Sequence, residues 1–165
     1  MISAEILRQL NTTEEILIEH MDADVREIFT TMVGADIAPS RTTVAVTKFK
    51  DSVSAMVGFA GSYNGMISIN APQKLAMSFA SQMLGMDVTQ FDDDVRDALG
   101  EIANMIGGSF KHHFVKDGHE VKLSTPSVIS GDEYFMTVGS PDTLTLMFES
   151  AAEHFIVCVY LEAGE

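Results

Sequence analysis

Asp97, Glu101 and Asn104 are spaced by four and then three residues, so on a helix turning about 100° per residue they fall on one stripe roughly 60° wide, with Gly108 beside them. Such a helix sets a carboxylate, which can pair with a cation, next to a carboxamide, which both donates and accepts hydrogen bonds. The opposite face carries Val95, Ala98, Leu99, Ile102, Met105, Ile106 and Phe110, the apolar arc that a packed helix needs. Gly100 and Gly107 flank the polar stripe, and each is about 1 kcal/mol worse than alanine in a helix interior. Three readings account for them. They let another surface come close enough for Glu101 and Asn104 to enter a recess on it; they sit at a tight crossing with a neighbouring helix; or Gly107-Gly108 ends the helix.

The elements that must hold this stripe are legible on either side of it. Asp92-Asp93-Asp94 places acids at the positive end of the helix dipole and opens the helix. Before it, Ala71-Pro72 opens another helix in which Leu75, Ala76, Phe79, Ala80, Met83 and Leu84 share a face, ending at Gly85. Nearer the N-terminus, Thr12-Thr13-Glu14-Glu15 is a capping signal for an amphipathic helix running to Gly34. Between these helices the texture is β-branched and alternating, at Thr43–Val46, Ser52–Phe59 and Gly65–Ile69. Turns are expected at Lys50-Asp51 and within Gly61–Gly65, where Asn64-Gly65 favours a tight reversal. Further strands are expected at Glu120–Leu123, Tyr134–Val138, Thr143–Glu149 and His154–Leu161.

A weak repeat ties the two parts together. Asp24–Gly34 resembles Asp94-Val95-Arg96 followed by Glu101–Gly107, and each copy precedes a strand-rich segment. The first copy has Thr31 where the second has Asn104, and it lacks the flanking glycines. Only the second helix is equipped for chemistry. The expected fold is α/β of the α+β type, a single domain of two pseudo-repeated halves with an antiparallel sheet packed by long helices. Residues 1–13 read as a helical N-terminal extension and residues 14–165 as the domain.

Composition narrows the function. The chain of 165 residues is long enough for a real core, and 46% apolar with 21% charged residues is ordinary for a globular domain. A net charge of −14 repels phosphate backbones and anionic headgroups, which argues against nucleic acid and membrane surfaces as partners. The single cysteine, Cys158, lies in the apolar run Phe155–Leu161 and reads as a buried hydrophobe. With no basic start, long apolar run or possible internal disulfide, the cytoplasm is the expected compartment.

Other constellations carry less. His112, His113 and His119 hint at a metal, but adjacent helical histidines point about 100° apart, and the residues read as a helix end that complements the dipole. No metal site is expected. Gly58, Gly61 and Gly65 lack the Gly-Lys-Ser/Thr of a phosphate loop, no Gly-x-Ser-x-Gly elbow is present, and Asp92–Asp94 lacks the ligand spacing of a calcium loop.

Asp97-x3-Glu101-x2-Asn104, with Gly107 just after and Pro126 some twenty residues on, resembles the signature of the CheC/CheX/FliY chemotaxis phosphatases. The runs Gly58–Ile69 and Ala76–Gly85 also resemble the strand, turn and helix that lead into that signature, and the resemblance covers residues 14 to 162. One good signature beside a degenerate first helix places the chain nearest CheX. The resemblance implies a phosphatase that removes the aspartyl phosphate from a phosphorylated CheY-like receiver domain. Glu101 would engage the receiver's lysine and Asn104 would position the attacking water, with Asp97, Gly100, Gly107, Gly108 and Pro126 supporting them or contacting the partner. It further implies that Mg2+ is supplied by the bound receiver, that the protein needs no cofactor of its own, and that it is a homodimer. The alternative is a CheX-like module that docks a response regulator or flagellar switch component without hydrolysis. An oligomerising scaffold would need neither Glu101 nor Asn104.

The residues themselves agree with that chemistry. An acyl phosphate is already reactive, so its hydrolysis needs a positioned water and stabilised charge more than a strong base. A lone carboxylate such as Glu101 can approach a phosphoryl dianion only beside a cation.

Overall fold

The computed structural model describes residues 1–115, 121–137 and 141–163. Helix α1 spans Ala4–Gln9 and α2 spans Glu14–Ile28, followed by a π turn at Phe29–Val33 that Gly34 closes with a left-handed φ of 84°. Strands β1 (Arg41–Thr42), β2 (Lys48–Ala60) and β3 (Tyr63–Pro72) come next, then helices α3 (Gln73–Leu84) and α4 (Asp93–Phe110), with a 3-10 turn at Lys111–Phe114. Strands β4 (Lys122–Leu123), β5 (Ser127–Phe135), β6 (Thr143–Ser150) and β7 (Glu153–Ala163) complete the order.

Among the described residues the seven strands join one sheet, and they pair antiparallel throughout. Its order is β1-β6-β7-β3-β2, with β4 and β5 both pairing with β2. The order is quasi-symmetric. The β2-β3 hairpin of the first half meets the β6-β7 hairpin of the second, and each half lends a strand, β1 or β5, to the far edge of the other's hairpin. This is the arrangement that two pseudo-repeated halves require. The helices cover one face, where Val53, Ala55 and Val57 of β2, Ile67 and Ile69 of β3, and Phe155, Val157 and Val159 of β7 meet them. Phe29 joins this core edge-on to Phe79, with ring centroids 4.8 Å apart, and stacked on Phe155 at 5.1 Å.

Several local expectations give way to tertiary pairing. Of the Thr43–Val46 segment only Thr43 reaches the sheet, through its N–H to the Thr145 carbonyl at 3.1 Å; the paired residues are Arg41 and Thr42. Lys50-Asp51 is no turn, because Lys48–Lys50 and Ser52–Met56 pair with β5 in one continuous register. Asp51 absorbs the kink with a φ of 46°. The reversal between β2 and β3 lies at Gly61-Ser62, whereas Asn64 and Gly65 are strand residues paired with Glu162 and Leu161. Gly65 is needed there for closeness, since a Cβ would collide with the Tyr160 carbonyl oxygen and the Phe59 ring. Strand β5 ends at Phe135, near where a strand was expected to begin, because its Ser- and Gly-rich start is held by edge pairing with β2 and needs little apolar patterning. Glu120, Val138 and His119, named in the sequence reading, lie outside the described residues.

Helix α1 and the residues before it are part of the body. Ile2 and Ile6 are buried in the common core, Ser3 N–H donates to Asp142 Oδ1 at 2.6 Å, and Tyr63 Oη donates to Gln9 Oε1 at 2.8 Å.

Candidate functional site

The site is built on α4, whose start is set by three neighbouring residues. Asp92 is the N-cap, and its Oδ1 accepts from the N–H groups of Asp94 at 3.0 Å and Val95 at 3.4 Å. Asp93 and Asp94 occupy the first turn. Arg96 then fixes the helix to the sheet: its Nε donates to Ser130 Oγ at 3.3 Å, an NH1 contacts Asp93 Oδ1 at 3.0 Å, and the guanidinium lies 4.8 Å from the Phe91 ring centroid.

Val95, Leu99, Ile102, Ala103, Ile106 and Phe110 are essentially inaccessible on the inner face, packed among β2, β3, α2 and α3. Asp97, Glu101 and Asn104 are exposed on the outer face. Among the described residues no hydrogen bond or ion pair engages these three side chains. The helix therefore presents Glu101 and Asn104 uncommitted, as i, i+3 neighbours on a backbone held by a buried face.

The glycines divide into two kinds. A Cβ on Gly100 would lie 3.5 Å from both Pro126 Cβ and Val128 Cγ2, and one on Gly107 would lie 3.4 Å from Val57 Cγ1. Both glycines are buried against the chain's own sheet. Their smallness therefore serves close helix-to-sheet packing rather than clearance for a partner, and the neighbour is a sheet where a crossing helix was considered. Pro126 belongs to this contact: it sits at the entry to β5 against Gly100. Gly107-Gly108 does not end the helix, which continues to Phe110 because residues 106, 107 and 110 are all buried on the core side. Of the α4 glycines only Gly108 has nothing within 4 Å of its would-be Cβ, and it lies on the stripe of Glu101.

Sequence reasoning missed how the far end of α4 is fixed. His113 Nε2 lies 2.7 Å from Asp24 Oδ2 of α2, and the His113 ring stacks on that of His20 at 5.1 Å. The polar side of α2 gave no signal for this partner. Among the described residues no group of three or more His, Cys, Asp or Glu side chains is placed to hold a metal ion. In the first copy of the repeat, the Thr31 hydroxyl donates to the Glu27 carbonyl at 2.7 Å, so that position is tied to its own π turn. No helix of the described residues is long and apolar enough to cross a membrane.

Comparison with known proteins places these features. The family model described as "Chemotaxis phosphatase CheX" matches residues 53–149. A curated relative from Thermotoga maritima, the CheY-P phosphatase CheX, is 28% identical over 90 residues, which cover 54% of this chain and 58% of that protein. The chain thus aligns with little more than half the length of that relative. The crystal structure of a chemotaxis protein CheX from Desulfovibrio desulfuricans matches with a TM-score of 0.73 at 28% identity, covering 89% of this chain and 99% of that one. The CheX of a CheX-CheY-BeF3-Mg2+ complex from Borrelia burgdorferi shares the fold, with a TM-score of 0.72 at 21% identity over 88% and 97% of the two chains. With the family model spanning more than half of the sequence and α4 at its centre, this chain belongs to the CheX family of chemotaxis phosphatases.

Proposed function

We propose that this protein hydrolyses the aspartyl phosphate of a phosphorylated CheY-like receiver domain by inserting Glu101 and Asn104 from α4 into the receiver's active site. The observation that carries the reading is the pair itself: two exposed side chains free of partners among the described residues, on a helix whose other face is buried. Family membership, the activity in the name of the Thermotoga relative and the Borrelia complex support a receiver as the target.

The chemistry asks little of the protein beyond position. A water oxygen attacks phosphorus in line, the bond from phosphorus to the aspartyl oxygen breaks, and inorganic phosphate and a free carboxylate result. Asn104 accepts a hydrogen bond from that water through its carbonyl oxygen while its amide donates toward a phosphoryl oxygen. Glu101 pairs with the receiver's lysine, which offsets the repulsion between its carboxylate and the phosphoryl group. Mg2+ belongs to the receiver and carries equatorial charge. Asp97 and Gly108 border the docking stripe, whereas Gly100, Gly107 and Pro126 hold α4 on the sheet. The reaction belongs in the cytoplasm, and the protein acts as a homodimer, which light scattering at twice the chain mass would verify.

The test is phosphate release from a phosphorylated receiver of the same organism. Asn104→Ala is expected to slow release by about 10²-fold or more, the usual effect of removing one positioned polar group, while retaining binding. Glu101→Ala is expected to weaken docking. Equal release with wild type and Asn104→Ala overturns the role of Asn104. Binding without any acceleration by wild type leaves the docking module as the function, and no binding at all overturns both.

A further inference from the structure

Beyond Asn104 the outward face of α4 runs into a cation. Lys111 is the C-cap residue of the helix, with φ −53° and ψ −30°, and its N–H still donates to the Gly107 carbonyl. Helical geometry therefore extends to Lys111. Seven residues after Asn104, it stands two turns on, within about 20° of the same line and roughly 10 Å along the axis.

The lane between the two is bare. A helical side chain leans toward the N-terminus and lies over the residues three and four positions before it, which for Lys111 are Gly108 and Gly107. A Cβ on Gly108 would meet nothing within 4 Å, and Gly107 is turned to Val57 and Leu123 of the sheet. A helical lysine finds its acid three or four residues away. Here those positions are the two glycines on one side and Phe114 and Val115 on the other, and Lys111 is partly exposed. Among the described residues no hydrogen bond or ion pair holds its ammonium.

We infer that Lys111 is a third catalytic residue, whose ammonium swings back over Gly108 and donates to an oxygen of the phosphoryl group that Asn104 contacts from the other side. This rests on the phosphatase reading and adds a group to it. The reach is sufficient. The four-carbon stem spans about 6 Å, so the gap to Asn104 is roughly 5 Å with the side chain laid along the helix and about 10 Å with it turned outward. A phosphoryl group between two donors needs a gap within those limits, two hydrogen bonds of about 2.9 Å plus its own width. The charge balance calls for the same group: Glu101 engages the receiver's lysine and so offsets a cation that the phosphoryl group would otherwise use. Lys111 restores one. Its ammonium moves no proton. The bond from phosphorus to the aspartyl oxygen breaks as water adds, and both protons of that water leave on the inorganic phosphate. A lysine that only complements the negative end of the helix dipole would affect stability and leave turnover alone.

The experiment measures phosphate release at saturating phosphorylated receiver of the same organism for wild type, Asn104→Ala, Lys111→Gln and Lys74→Gln. It also measures the affinity of each for the receiver with and without beryllofluoride and Mg2+, and urea midpoints establish that each is folded. Lys111→Gln keeps length and loses charge; its kcat is expected to fall by about 10- to 100-fold. Its preference for the beryllofluoride-loaded receiver is expected to fall by about 5-fold or more, with affinity for the unmodified receiver unchanged. Lys74→Gln, which removes the same charge from an exposed position on α3, is expected to change neither. Wild type no faster than the receiver alone, or Asn104→Ala as fast as wild type, overturns the phosphatase reading and this inference with it. With wild type active and Asn104→Ala slow, Lys111→Gln turning over at the wild-type rate, an undiminished preference, or an equal loss in Lys74→Gln overturns this inference alone.

Discussion

Replacing Gly100 with alanine separates the two physical roles that a glycine beside the Glu101 stripe can have. The added Cβ would lie 3.5 Å from Pro126 Cβ and from Val128 Cγ2, ordinary van der Waals contact that requires no movement. Alanine also restores helix propensity worth about 1 kcal/mol. Gly100→Ala should therefore raise unfolding stability by up to about 1 kcal/mol, or roughly 2–4 °C in melting temperature for a domain of this size. Any branch beyond Cβ has nowhere to go, since the first atom already touches two neighbours. Gly100→Leu must push α4 off β5 and should lose about 1–3 kcal/mol. Gly108→Ala should gain the same propensity, because nothing stands within 4 Å of its Cβ, but it adds a methyl to the stripe that carries Glu101. Urea denaturation measures stability, and titration with the phosphorylated receiver measures docking. Packing against the sheet predicts that Gly100→Ala keeps full docking and Gly108→Ala weakens it. A Gly100→Ala protein that is less stable than wild type, or one that is folded and has lost docking, would refute this reasoning.

Three further outcomes follow from other parts of the chain. Ala151 and Ala152 make the β6-β7 turn with φ of 51° and 63°, so Ala151→Asn with Ala152→Gly should stabilise by about 1 kcal/mol or more, read from the urea midpoint. Burial alone would raise the Asp22 carboxyl, but the Ser40 backbone N–H and hydroxyl, together with the Arg26 guanidinium, outweigh it and hold the group below its ordinary range. Its stabilisation is complete above the ordinary carboxylate pKa of about 4 and is lost as pH falls through the depressed native value; the stability of Asp22→Asn should then fall less steeply with acid than that of wild type. Burial pushes the Cys158 thiol up, so at neutral pH it stays protonated, and iodoacetamide should label it slowly in the native protein and quickly in urea.

Much of α4 was legible because its determinants are local. Asp92 caps through bonds to residues two and three positions on, and the apolar arc is a matter of period. The ends of α3, at Pro72 and Gly85, were legible for the same reason. Turns were less so. Asn64-Gly65 has the chemistry of a reversal, yet β7 pairs with both residues and holds them extended. Lys50-Asp51 fails likewise, because pairing with β5 on either side outweighs one unfavourable dihedral. The His113 contact with Asp24 was invisible because the two residues are remote in sequence and neither has a patterned neighbour.

By itself the sequence determined which helix carries Asp97, Glu101 and Asn104, where that helix starts, and that its two faces are chemically opposite, since all of these depend on neighbours within a turn or two of the backbone. The tertiary structure decided what lies against each face. It turned Gly100 and Gly107 from clearance for a partner into contacts with Val128, Pro126 and Val57, because a helix lying on a twisted sheet is approached from more directions than its apolar arc covers. It also buried Ser68, Asn70 and Thr145 beneath residues 45–47, because alternation along a strand says which residues share a face and never what crosses over it.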